Sequence, residues 1–151
     1  MILASTDLHD QGAIPPLFSC EGENVSPELH WDQAPDGARS FAILCDDPDA
    51  PGGVWRHWAA FDISAKIRRL PRGAGEAGAT GFRQAINDFG EKGYGGPCPP
   101  RGRGPHRYRF RLMALSVDKL PARVNARCRD VESLAEKHVI SECALTGIFE
   151  R

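Results

Sequence analysis

No apolar run in this chain approaches bilayer-spanning length, and its first ten residues lack the basic n-region and unbroken apolar stretch of a secretory signal. Stable membrane insertion is therefore not expected, and a cytoplasmic protein is, unless a leader has been removed. An excess of charge of one sign is missing too. Nineteen Lys and Arg against twenty Asp and Glu leave a formal net charge of −1, with no long-range field to gather nucleic acid or an anionic membrane. Nucleic acid is thus not an expected partner, and any recognition of an anion has to be local. The five cysteines, Cys20, Cys45, Cys98, Cys128 and Cys143, are odd in number and contain no C-x-x-C pair. Neither a disulfide framework nor a zinc site is indicated, and reduced thiols are the expectation. Cys45 lies in an apolar run and reads as small core filler. Internal repeats, heptads and low-complexity tails are also absent, and 151 residues suffice for one domain, residues 1–151, to be stable on its own core.

What the chain has instead is punctuation. Sixteen glycines and twelve prolines cut it into short apolar runs, a pattern that predicts a mainly β fold. Strands are expected over Ser40 to Asp47, His57 to Ile63, Tyr108 to Val117 and Leu145 to Phe149, with a further one around Leu29 to Trp31. One helix is expected from an Asp130 N-cap through Val131 towards Cys143, with Val131, Leu134, Ala135 and His138 on one face. His138 then packs or caps. The Gly90 to Gly104 segment is a long Gly/Pro-rich loop of the kind that is functional or disordered in compact domains, and Tyr94 and Cys98 favour order.

Strand alternation places polar groups on faces. From His106 to Leu112, the arginines Arg107, Arg109 and Arg111 share one face, expected to be solvated, while His106, Tyr108, Phe110 and Leu112 share the other. The same count aligns Asp47 with Phe41, Ile43 and Cys45, and His57 with Ala59, Phe61 and Ile63. If the Ser40 and His57 strands pair antiparallel, Asp47 and His57 meet at one rim. The intervening turn, Pro48 to Arg56, adds Asp49, Pro51 and Trp55, and its X-Pro bonds are candidates for the cis form. Burying Asp47, Asp49, His57, His106 and Tyr108 at one edge would be costly without a purpose, which makes the edge a candidate site.

These residues carry a resemblance. D-P-D-A-P (Asp47 to Pro51), R-H-W (Arg56 to Trp58), Y-G-G-P-C-P-P (Tyr94 to Pro100) and G-P-H-R-Y (Gly104 to Tyr108) closely resemble the phosphatidylethanolamine-binding protein family, above all its bacterial and archaeal Raf-kinase-inhibitor-like branch. The segment Ile14 to Trp31 and the ending L-T-G-I-F-E-R look like that branch as well. The resemblance implies two antiparallel sheets with a large central one, few short helices, and a pocket for phosphate-like anions and the phosphoethanolamine head group. Carried over by motif, the ligand-binding residues are Asp47, Asp49, Pro51, Trp55, His57, Gly96, Pro97, His106 and Tyr108. Phe18 and Ser19 stand where the branch usually has tyrosine and threonine, and Arg56 adjoins the pocket histidine.

Three functions follow as expectations. In the first, a small-ligand binding protein without cofactor or metal, backbone N–H groups of the Tyr94 to Gly96 turn form an anion nest. His57, His106 and Tyr108 add donors, while Asp47 and Asp49 orient the imidazoles, raise their pKa and favour a ligand ammonium. The alternative is a hydrolytic enzyme using Cys98 as nucleophile or a His/Asp metal site. The third, implied by the family's name, is an inhibitor of a kinase or protease, with Arg101, Arg103 and the Arg107/Arg109/Arg111 face as docking candidates. A homodimer is left open.

Overall fold

The computed structural model describes residues 1–151. Eight strands and one α-helix follow in the order β1 (Ile2–Ala4), β2 (Leu29–Asp32), β3 (Ser40–Asp47), β4 (Trp55–Ser64), β5 (Arg69–Leu70), β6 (Arg83–Gln84), β7 (His106–Leu115), α1 (Cys128–Glu136) and β8 (Val139–Phe149). They form two antiparallel sheets, a five-stranded one ordered β6-β4-β3-β7-β8 and a three-stranded one ordered β1-β2-β5. The expected class, a mainly β fold built on a large central sheet, is what the chain adopts.

Both faces of the central sheet are covered, which explains why every residue of β3 is buried. One face carries Phe41, Ile43, Cys45, Trp58, Tyr108, Phe110 and Leu112 against Leu3, Leu29 and Trp31 of the small sheet. The opposite face carries Ala42, Leu44, Ala59, Phe61 and Met113 against Cys128, Val131 and Ala135 of α1. Each fully buried large side chain contributes roughly 1.5–3 kcal/mol. The free edge of β8 is shielded by the Gln11 to Ile14 segment, where Ile14 N–H donates to the Ile148 carbonyl at 2.8 Å. Gly147 permits that approach, since a Cβ there would sit 2.4 Å from the Ile14 side chain.

Four expectations need correction. The helix begins earlier and ends sooner than its periodicity suggested. Arg127 is the N-cap, and Asp130 lies inside the first turn, where its carboxylate accepts the Arg127 N–H at 3.0 Å. Val139 to Cys143 belong to β8, because pairing along β7 (Leu115 with Val139, Leu112 with Cys143) outweighs local helix preference. His138 consequently lies beyond the helix.

The second correction concerns β4. Cys45 pairs with Trp58 but Asp46 with Arg56, so His57 is an extra, bulged residue. A second irregularity follows at Asp62, whose φ is 56°. Strict alternation aligned His57 with Ala59 and Phe61, which in fact face α1. The bulge turns His57 to the other side, beside Tyr108 at 5.2 Å between ring centroids. Bulges re-aim side chains in this way.

Thirdly, the arginine face is less solvated than expected. Arg111 is only 15% exposed and lies between Asp46, Glu132 and Glu142, while Arg109 pairs with the buried Asp46 at 2.7 Å. Fourthly, Cys20 and Cys98 form a disulfide across a sequence separation of 78, with Cα atoms 5.4 Å apart, leaving Cys45, Cys128 and Cys143 as thiols. No peptide bond is cis, so the prolines of the Pro48 to Arg56 turn act through trans bonds.

Candidate functional site

At one end of the central sheet the β3–β4 turn, the start of β7 and the Cys98 to Pro100 loop enclose a cavity of about 160 Å³. Its wall includes Asp47, Pro51, Trp55, His57, His106 and Tyr108, six of the nine residues singled out from the sequence. Ala50, Phe89, Cys98, Pro99 and Pro100 complete it. Sequence reasoning missed Phe89, which follows no strand pattern and reaches the site by packing against His57 (5.3 Å) and Trp55 (5.5 Å).

The carboxylate and the two imidazoles on the wall have distinct partners. The Asp47 carboxylate accepts the Asp49 backbone N–H at 2.8 Å and the His106 Nδ1–H at 2.7 Å. His57 Nδ1–H donates to the Gly95 carbonyl at 2.6 Å. Since a carboxylate and a carbonyl can only accept, both imidazoles carry their proton on Nδ1, which leaves each Nε2 without a protein partner. The Tyr108 hydroxyl is fully buried and, although the Asp47 carboxylate is close enough to act on it, makes no hydrogen bond of proper geometry. Burial, and then the nearby Asp47 charge, push its pKa well above the ordinary tyrosine value. Burial lowers the pKa of His57, opposed by its bond to Gly95 and the Asp47 charge. The expected carboxylate effect on His57 is thus present, but burial outweighs it and sets the net direction.

Three expected residues lie outside the cavity wall. Asp49 turns outward to Arg107, taking its Nε–H at 2.9 Å and Nη2–H at 2.8 Å, and that guanidinium holds its pKa down to about 2. It orients Arg107, not an imidazole. Gly96 and Pro97 are anchors: Gly96 N–H donates to Asn24 Oδ1 at 2.8 Å, and the Pro97 carbonyl accepts from Cys20 N–H at 3.0 Å. A Cβ on Gly96 would fall 2.1 Å from the Phe18 carbonyl oxygen, so glycine is needed there for close approach.

The backbone nest also fails to form. Tyr94 N–H donates to Gly75, Gly95 N–H to His57 and Gly96 N–H to Asn24, so all three donors are already used. Positive φ in the Gly90 to Gly104 loop falls at Gly90, Gly93, Gly102 and Gly104 and at none of residues 94–96. The Cys98 sulfur is bonded to Cys20 and offers no thiolate nucleophile. No group of three or more His, Cys, Asp or Glu side chains is gathered to hold a metal ion.

Comparison with known proteins agrees with this architecture. The family model described as phosphatidylethanolamine-binding protein matches residues 4–150. The chain belongs to that family. A UPF0098 protein of Methanothermobacter thermautotrophicus is 44% identical over 153 residues, covering 100% of this chain and 99% of the relative. The crystal structure of Escherichia coli YbcL, described as a new member of the mammalian PEBP family, superposes with a TM-score of 0.94 at 35% identity, covering 99% of this chain and 97% of that one. A Mycobacterium tuberculosis protein named putative lipoprotein LppC is 42% identical over 117 residues, 78% of this chain and 56% of the relative. Those family members are not named for an enzymatic activity. No helix of this PEBP-family chain is long and apolar enough to cross a membrane.

Proposed function

We propose that the chain is a binding protein whose cavity takes a small phosphate-like oxyanion, free or as part of a phosphoethanolamine-type head group. The observation that carries this reading is the buried Tyr108 hydroxyl, left without a partner beside two unpartnered Nε2 atoms. Burying the Tyr108 hydroxyl unpaired costs free energy, and a ligand in the cavity that also meets the two Nε2 atoms would recover that cost. The size agrees, since about 160 Å³ is well below the roughly 300–1,000 Å³ of sites for drug-sized molecules.

With the 94–96 backbone donors unavailable, affinity rests on side chains. Each charge-assisted hydrogen bond contributes about 1.5–3 kcal/mol, and a millimolar Kd corresponds to about −4 kcal/mol, so free phosphate binds weakly. Tighter ligands gain from the half-exposed Trp55 and Phe89 at the rim. Titration with phosphate and phosphoethanolamine, followed by imidazole NMR, should shift His57 and His106 together. Unmoved signals from both would rule the reading out.

Action on a kinase or protease is a further step in the same proposal. A protein partner would meet the cavity through the Trp55/Phe89 rim, since Arg107, Arg109 and Arg111 are engaged in ion pairs. Pull-down with a His106→Ala variant separates partners that use the cavity from those that use another surface. The Cys20–Cys98 bond suits an oxidising compartment better than a reducing cytosol, so the site is proposed to work where that bond persists.

A further inference from the structure

The two histidines of the cavity differ in the atom behind them. His106 Nδ1 stands 2.7 Å from the Asp47 carboxylate, so a cationic His106 would find its counter-charge in place. His57 Nδ1 stands 2.6 Å from the neutral Gly95 carbonyl, with its ring enclosed by Phe89 and Tyr108. A cationic His57 would have no contacting anion, so its Nε2 presents a lone pair and accepts. The charged and titratable groups around His57 are Asp47 on β3, His106 and Tyr108 on β7, Asp88 on the segment after β6 and its chain neighbour Arg56. None makes a hydrogen bond to the ring, and Asp88 is occupied by the Arg56 backbone N–H at 2.7 Å. Burial moves the His57 pKa in the direction this geometry requires.

An oxyanion entering such a cavity meets donors on one side and an acceptor on the other. Tyr108 Oη–H can donate to a ligand oxygen, as can His106 Nε2 when that ring is cationic. His57 Nε2 needs a hydrogen from the ligand. Sulfate and a phosphodiester at neutral pH carry acceptor oxygens only and would press a lone pair against a lone pair. Hydrogen phosphate, or a phosphomonoester below its second pKa of about 6, brings a P–O–H.

We propose that the cavity selects singly protonated oxyanions, with His57 Nε2 accepting the ligand's P–O–H, and that it therefore prefers inorganic phosphate and phosphomonoesters to sulfate and phosphodiesters. This inference rests on the oxyanion reading above and narrows it. The ligand is a free phosphate or a released head group, not the phosphodiester of an intact phospholipid. No bond is made or broken; the ligand's proton stays shared between its oxygen and His57.

The test measures the affinity of the disulfide-intact protein for phosphate and sulfate at pH 7.0, and for methyl phosphate and dimethyl phosphate at pH 6.0. Phosphate should bind about tenfold or more tighter than sulfate, and methyl phosphate likewise against dimethyl phosphate, the range expected when a site built around a ligand hydroxyl meets an analogue lacking it. Lowering the pH until the His57 imidazole NMR signal shows protonation should narrow the phosphate-to-sulfate ratio, because the cationic ring donates instead of accepting. His57→Ala should bring that ratio close to one at pH 7.0. Should that variant fail to fold, the pH series on the unaltered protein decides: sulfate binding as tightly as phosphate at pH 7.0, or a ratio that does not move while the His57 NMR signal titrates, overturns the inference and leaves the oxyanion site standing. If none of the four ligands binds at any pH, the oxyanion reading falls and this inference with it.

Discussion

Asp46 and Asp47 are consecutive, both nearly inaccessible to solvent, and point to opposite faces of the same strand. Asp46 enters a closed set. Arg109 and Arg111 hold its two oxygens, and Glu132 and Glu142 hold Arg111 in turn. Asp47 enters an open set, where it holds His106 while that ring's Nε2, the Nε2 of His57 and the hydroxyl of Tyr108 find nothing. The difference separates structural from functional polarity. A buried charge network with its valences met maintains the packing of α1 on the sheet, whereas the open set is where a ligand is proposed to bind.

The contrast can be broken from either side. Asp46→Ala removes one of three partners of Arg111 and the partner of the 39% exposed Arg109, and should cost about 3 kcal/mol of folding stability, the lower end of the range for breaking a buried pair. Chemical denaturation measures that loss, and phosphate affinity of the still-folded fraction should stay unchanged. If affinity falls with it, the two sets are not separate. Replacing both Cys20 and Cys98 by serine should cost about 2–4 kcal/mol, since the bond closes a long loop in the unfolded chain. Here affinity should fall as well, because Cys98 lines the cavity and its loop is pinned to the Cys20 segment.

Tyr108→Phe sharpens the comparison in the opposite direction. It deletes a buried hydroxyl that has no partner, so stability should stay level or rise by up to about 1 kcal/mol, while phosphate affinity should drop about tenfold. A clear loss of stability would show that the hydroxyl has a partner in the free protein.

The smallest effect is expected at Asp49, which belongs to neither set. Its folded pKa of about 2 lies below the unfolded carboxylate value of about 3.9. The unfolded chain therefore binds the proton first. The Asp49–Arg107 contribution is present above about pH 4 and lost as the pH falls towards 2. Solvent screening of this exposed pair keeps that contribution small. Urea midpoints of the unaltered protein and Asp49→Asn should converge between pH 5 and pH 2.5, and a constant gap would contradict the pairing.

Much of this architecture was legible in advance because it depends on local periodicity. The β3 and β7 alternation assigned Asp47, His106, Tyr108, Phe110 and Leu112 to the inner face, and that is where they lie. His57 was placed inward for the wrong reason. Unbroken alternation would have grouped it with Ala59 and Phe61, and the bulge that turns it to the cavity exists only in the pairing of β4 with β3. The Tyr94 to Gly96 donors looked free because glycine-rich loops often bind anions, but Gly75, His57 and Asn24 reach them from distant parts of the chain.

What the sequence determined by itself was the β class, the inward faces of its unbroken strands and the family, all of which follow from side-chain alternation and contiguous motifs. Tertiary structure alone decided which polar atoms remain unsatisfied. Hydrogen-bond completion depends on which segments converge, and the Cys20–Cys98 bond, the outward Asp49–Arg107 pair and the acceptor state of His57 all arise from contacts between residues far apart in the chain. Periodicity could bring a histidine to the cavity, but only the carbonyl of Gly95 against its Nδ1 decides which kind of oxyanion it is proposed to accept.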